Sequence, residues 1–310
     1  MISMSELILH QYPESPFSEK IRALLGYKDA TYHSAATSII MPRPDLMPLT
    51  GGYRKVPVMQ MGADIFCDSA IICRTIDAMY PEKPIYPEAC LATADAMAHW
   101  TDTFFFKVCV AVAFQPSALA MEPLFKDDAE AAAFFADRAE LTEGSSELSM
   151  SFDVAEPYFL SHLSNVDQQL GHADYLFGAS PTIADFSTYH LMWFIKQREV
   201  LQDYFVPFDA LNAWYARIEA FGHGNVTTMS SADALAIAKA LEPDEMIDSV
   251  FVDAIVPGTE VSVMPIDYGF QPVKGELIVS GIDEIAVART DELAGRIVVH
   301  FPRQGFQITR

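Results

Sequence analysis

The chain is short of positive charge: 20 lysines and arginines stand against 42 aspartates and glutamates in 310 residues, a net charge of −22. Nucleic-acid phosphate would be repelled over most of such a surface, so DNA and RNA are not expected partners. Metal-ligand spacing is missing too, because the eight histidines are scattered with no H-E-x-x-H or similar pairing. The four cysteines, Cys67, Cys73, Cys90 and Cys109, include no C-x-x-C pair and lie in apolar stretches, so reduced buried thiols are expected and disulfides are not. No window approaches 18 uninterrupted apolar residues, which leaves no membrane-spanning candidate. The first residues, "MISMSELILHQYPES", lack the basic start and apolar run of a secretory signal. The expectation is a soluble, cytoplasmic protein with no membrane partner.

Apolar residues, at 51%, are plentiful and charged ones, at 20%, are not, which excludes a disordered tail protein and predicts a real core. The acidic excess is uneven: residues 1–80 are almost neutral, and the deficit of positive charge is concentrated beyond them. Only the N-terminal part suits a small anion.

Residues 7–12 alternate weakly and end in turn chemistry, as a buried strand does. Phe17, Ile21, Leu24 and Leu25 then recur at helical spacing. A strand around "TYHSA", a proline-rich loop, two short strands "VPVMQM" and "ADIFC", and a helix "DSAIICRTIDAMY" complete a β-α-β-loop-β-β-α unit over residues 1–82. Residues 88–228 show long helical periodicity with almost no strand signal, predicting an all-α domain. A connecting helix, "SADALAIAKAL", falls within 229–244. Residues 245–310 hold six short β runs, beginning with "VFVDAIV", separated by turn residues, and predict a small closed or nearly closed barrel, SH3-like or similar, because an open sheet of that size leaves unprotected edges.

Three local features bear on chemistry. In "ESPFSEKIR", Ser15 occupies the expected helix N-cap and Pro16 the first helical position, where a missing N–H costs nothing. Capping alone accounts for that serine, yet a helix N-terminus also stabilises anions, thiolates included. In "KVPVM", Val56-Pro57 opens a strand; the pair is either an edge-strand start or a cis bond that turns the Val56 backbone toward a bound peptide. In "CDSAII", Asp68 or Ser69 caps the next helix, whose N-terminus could also hold a ligand carboxylate.

Together, these three features at these intervals resemble the glutathione transferase superfamily over about residues 7–225. "LFGASPTIADFS" looks like that family's helix-capping segment, with Thr182 and Asp185 at capping-box spacing and a structural role. The resemblance implies a thioredoxin-like α/β domain, 1–82, followed by the all-α domain, 88–228, with the β module, 245–310, as an addition to that architecture. It implies glutathione as co-substrate and no metal. Ser15 would touch the glutathione sulfur, Val56 beside Pro57 would pair with the cysteinyl part, Asp68 and Ser69 would hold the γ-glutamyl end, and Lys55 or Arg54 would meet the glycyl carboxylate. "SPFSEKIR" is most similar to the omega-like branch, which carries cysteine where this chain has Ser15. A serine hydroxyl can donate to a thiolate but cannot form a mixed disulfide, so conjugation is favoured over disulfide reduction. Tyr12 is the rival, since other branches use a tyrosine at the end of the first strand. A pocket for a small hydrophobic electrophile is expected between the domains, with Tyr12, His99, Trp100, Phe104 and Phe105 as candidates. The implied function is a homodimeric, detoxifying glutathione transferase; the alternative is a non-catalytic scaffold or ligand carrier for the β module, which itself is either a packing appendage or a lid or docking element.

Overall fold

The computed structural model describes residues 6–244, 252 and 254–310. β1 (Leu7–Gln11) leads into α1 (Pro16–Tyr27), which starts where Ser15 accepts a hydrogen bond from the Ser18 N–H and Pro16 fills the first turn. β2 (Thr31–Ala36), the single-turn α2 (Met47–Thr50), β3 (Val58–Met61), β4 (Asp64–Cys67) and α3 (Ser69–Met79) complete the first unit. β1 and β2 are parallel, while β1–β3 and β3–β4 are antiparallel.

The helical part comprises α4 (Leu91–Trp100), α5 (Phe106–Ala113), α6 (Pro116–Met121), α7 (Asp128–Leu141), α8 (Phe152–Leu170), α9 (Ile183–Lys196) and α10 (Asp209–Glu219). α4 runs into α5 through a π-helical segment, Thr101–Phe105. Its core, including Phe105, Phe159, Phe186 and Trp214, is continuous with that of α1 and α3. Asp185 explains the buried start of α9: its carboxylate accepts from the Thr182 and Leu176 N–H groups and from Trp214 Nε1.

Residues 225–229 depart from the all-helical expectation and form β5 (Asn225–Met229), parallel to β2. Its polar, exposed sequence carries no alternating hydrophobic signal; pairing is imposed by the turn at 221–224, which packs so closely on α1 that a Cβ on Gly26 would lie 2.0 Å from the Gly222 carbonyl oxygen. α11 (Ser231–Ala240) follows and lies on the sheet: Gln60 Nε2 donates to Ala234 O at 2.8 Å, and Ala234 packs with Ile8 and Ala35.

Five strands close the chain: β6 (Glu260–Pro265), β7 (Val273–Ser280), β8 (Glu284–Asp291), β9 (Gly295–Pro302) and β10 (Phe306–Thr309). Of the first of the six expected β runs, 250–256, residues 250, 251 and 253 lie outside the described residues, and 252 and 254–256 belong to no strand. The strands are there, and they pair antiparallel in the order β10-β6-β7-β8-β9. β9 pairs in parallel with β4, giving one ten-stranded sheet in the order β10-β6-β7-β8-β9-β4-β3-β1-β2-β5. Pairing with β4 covers the β9 edge of the added strands. Val58, Ile65 and Cys67 thereby share a second core with Val263, Leu277, Val287, Val299 and Phe301, roofed by α2 and α11. No helix among the described residues is long and apolar enough to cross a membrane.

Candidate functional site

A cleft of about 240 Å³ opens where the N-termini of α1 and α3 meet the end of α4, the loop before β3, and the turns of the C-terminal strands. The loop before β3 contributes Lys55, Val56 and Pro57, whose Val56–Pro57 bond is cis. The β-ladder starts only at Val58, so Val56 stands beyond its end. α3 contributes Asp68 and Ser69. Asp68 caps α3 by accepting from the Ala70 N–H at 2.9 Å and is held at φ 94°, a conformation that non-glycine residues avoid and that recurs at ligand clamps. Burial pushes its carboxyl above the ordinary aspartate range, with Lys55 and Lys20 pulling the other way.

The floor is a buried polar network that the sequence did not announce. Lys20, one helical turn beyond Phe17 on α1, sends its Nζ to Asp102 Oδ2 at 2.5 Å. Asp102 also accepts from Ser187 Oγ at 3.1 Å and faces His190 Nε2 at 3.0 Å. Burial alone would raise the Asp102 carboxyl, but the Lys20 ammonium and His190 outweigh it and hold it down to about 2. Asp102 belongs to the π-helical segment, and such segments recur at functional sites. Phe17, Lys20, Tyr53, Tyr86 and Asp102 all line the cleft and were missed; the i, i+3 spacing of Phe17 and Lys20, which puts both on one helix face, was the available signal.

Of the residues singled out by sequence, Lys55, Val56, Pro57, Asp68, Ser69 and His99 converge on this cleft. Ser15, Tyr12, Trp100 and Phe104 are not among the residues bordering it. Ser15 is 2% exposed, and its Oγ accepts from Ser18 N at 3.2 Å. Tyr12 is half-buried, within electrostatic reach of Arg43 and Tyr268. Trp100 and Phe104 turn to the other side of their helix, where Trp100 stacks on Phe104 and Phe105 and leans on His162, and Phe104 meets Tyr158 edge-on. Phe105 is fully buried core. Helical periodicity sends His99, Asp102 and Thr103 to the cleft and these aromatics away from it. Arg54 is likewise elsewhere: it pairs with Asp137 at 2.6 Å and Glu140 at 3.0 Å, tying the first unit to α7.

The cysteines are free; Cys67, Cys73 and Cys109 are buried and Cys90 half-buried. Burial pushes the Cys73 thiol up to about 12 and those of Cys67 and Cys109 well above the ordinary range, so none of these three is a thiolate nucleophile.

Comparison with known proteins agrees with this architecture. Residues 9–84 match the Glutathione S-transferase N-terminal domain and residues 133–217 the corresponding C-terminal domain. The structure of a GST-like protein from Pseudomonas syringae is 34% identical, covers 99% of this chain and 100% of its own, and superposes with a TM-score of 0.83. It therefore shares the C-terminal strands as well. Glutathione transferase F2 from Populus trichocarpa, 17% identical, covers 69% of this chain and 93% of its own with a TM-score of 0.52, a likeness of fold. Pyrimidodiazepine synthase from Drosophila melanogaster is 28% identical over 76 residues, 23% of this chain and 31% of its own length, so the chain matches about a third of that curated relative. With both family domains matched in order and a full-length relative at 34% identity, this chain belongs to the glutathione transferase superfamily.

Proposed function

We propose that the chain is a glutathione transferase that activates the thiol of glutathione for attack on a small hydrophobic electrophile. The observation that carries this reading is the convergence of Lys55, Val56, Pro57, Asp68 and Ser69, from two separate loops, on one cleft. In it, the ammonium of the γ-glutamyl end meets Asp68, and its carboxylate meets the N-terminus of α3 at Ser69. The Val56 backbone pairs with the cysteinyl unit as an added strand would. Lys55 supplies the charge for the glycyl carboxylate. The sulfur lies toward the N-terminus of α1. There Ser15 spends one lone pair on its cap bond and keeps its O–H proton to donate to a thiolate. The thiol loses its proton to solvent, and the thiolate then forms the new carbon–sulfur bond while the electrophile releases its leaving group or takes up a proton.

A second reading, a non-catalytic glutathione-fold protein, draws support from the depth of Ser15: a residue only 2% exposed can cap its helix without reaching a ligand. Calorimetry separates a binding protein from an empty fold, and turnover of a generic aryl halide separates enzyme from binder. Heat of glutathione binding at millimolar concentration and measurable conjugation are expected; no binding would refute the first reading and leave only the scaffold form of the second, and binding without turnover would leave the second as a ligand carrier.

A further inference from the structure

The loop between β6 and β7, residues 266–272, reaches from the C-terminal strands across the mouth of the cleft. Asp267 places both carboxylate oxygens on Lys55 Nζ, at 2.7 and 2.9 Å. The ring of Tyr268 lies under the same ammonium, 3.8 Å from nitrogen to centroid. Both residues line the cleft. The loop is fastened on its far side to the helical domain: Gly269 N donates to Leu141 O at 2.9 Å and Ser145 Oγ to Asp267 O at 2.5 Å. Gly269 adopts φ +73°, and a Cβ on it would meet Leu141 Cδ1 at 3.2 Å and Lys55 Cε at 3.4 Å, so the close approach over Lys55 depends on glycine.

Three cations border the cleft, and each already has a carboxylate: Lys20 has Asp102, Arg74 has Asp95, and Lys55 has Asp267. The Lys20 pair is sealed in the floor, with the lysine side chain 1% exposed. The Asp267 carboxyl is 35% exposed and sits on a surface loop, so it can be rehydrated when displaced. Asp267 thus holds the position that an incoming carboxylate would take.

We propose that Asp267 is a specificity-determining residue of the cleft: it occupies Lys55 in the free protein, and a ligand carboxylate engages Lys55 only by exchanging for it. The inference rests on the glutathione reading above. Its consequence is that the wild-type cleft gains little from a carboxylate at the glycyl end, since one ion pair replaces another, and that it tolerates thiol peptides in which this carboxylate is masked as an ester or amide.

The test compares glutathione with its glycyl monoethyl ester by calorimetry on the full chain. Asp267→Asn keeps the acceptor for the Tyr268 N–H, which Asp267 Oδ1 now receives at 2.6 Å, while removing the charge. Wild type should bind the two ligands with nearly equal affinity. Asp267→Asn should bind glutathione about five- to ten-fold more tightly and the ester unchanged, the size expected of a partly exposed ion pair no longer given up. Lys55→Gln in the same background should abolish the difference. Asp267→Ala serves if the asparagine variant folds poorly, and hydrogen exchange on the unaltered protein gives an independent readout: the Gly269 amide should lose protection when glutathione is added. Equal affinities of wild type and Asp267→Asn for glutathione, weaker binding of both ligands by the variant, or undiminished Gly269 protection overturns the exchange while leaving the glutathione reading intact. Absence of binding by wild type and variants alike overturns the glutathione reading, and the exchange with it.

Discussion

Ser15 carries two roles that a single substitution can separate. Its hydroxyl caps α1, a bond whose loss costs about 1 kcal/mol of stability. If it also donates to the glutathione thiolate, that charge-assisted bond is worth roughly 1.5 to 3 kcal/mol, or about ten- to a hundred-fold in conjugation rate. Ser15→Ala should therefore lower melting temperature slightly, lower turnover strongly, and shift the ascending, acid-side limb of the pH–rate profile to higher pH, with glutathione affinity largely kept. A purely structural serine would change the melting temperature and leave the pH profile where it is. Tyr12→Phe is the paired control: loss of activity there with retention in Ser15→Ala would make Tyr12 the thiol's partner. Cys67, Cys73 and Cys109 do not replace either, because burial keeps their thiols protonated.

At the level of elements, the seam between β4 and β9 joins the added strands to the first unit, and it holds a charged cluster. His300 on β9 is 3% exposed, stacked on Phe66 at 4.4 Å between centroids, with Nε2 3.0 Å from Asp64 Oδ1 and Nδ1 2.6 Å from Glu284 Oε1. Burial alone would lower its pKa, but hydrogen bonds to Asp64 and Glu284 outweigh it and the pKa rises above the ordinary value. A raised folded-state pKa contributes stability that is complete below the unfolded value of about 6.5 and is lost as pH climbs through the folded value. Wild type should thus be more stable than His300→Gln at pH 6, with the gap narrowing toward pH 9 in thermal melts of the two proteins. A gap that widens with pH would show that the imidazole is neutral in the fold. Sequence placed His300 in a β run and no more, because its partners Asp64 and Glu284 lie 236 and 16 residues away.

For the whole molecule, a net charge of −22 and family membership bear on assembly. We expect a homodimer in which the first unit of one chain meets the helical part of the other, and light scattering at micromolar concentration should give twice the 34.3 kDa chain mass. A monomer at that concentration counts against it. Self-repulsion between acidic surfaces predicts that larger assemblies, if they form, appear only at high salt.

Local chemistry was enough for much of this: the capped start of α1, the Val56–Pro57 opening of β3, the Asp68–Ser69 entry to α3 and the capping segment before α9 are short-range signals, written in three or four adjacent residues each. They were legible because turns and caps are decided by neighbours in sequence. Tertiary structure alone decided what lies tens to hundreds of residues apart. It turned Trp100 and Phe104 toward α8 and Arg54 toward α7, drew Lys20 and Asp102 into the floor, and paired the C-terminal strands with β4. It also brought Asp267 onto Lys55, 212 positions distant. Periodicity reports which face of an element is apolar; which partner covers that face, and which charge answers a lone lysine, is settled only by packing in three dimensions.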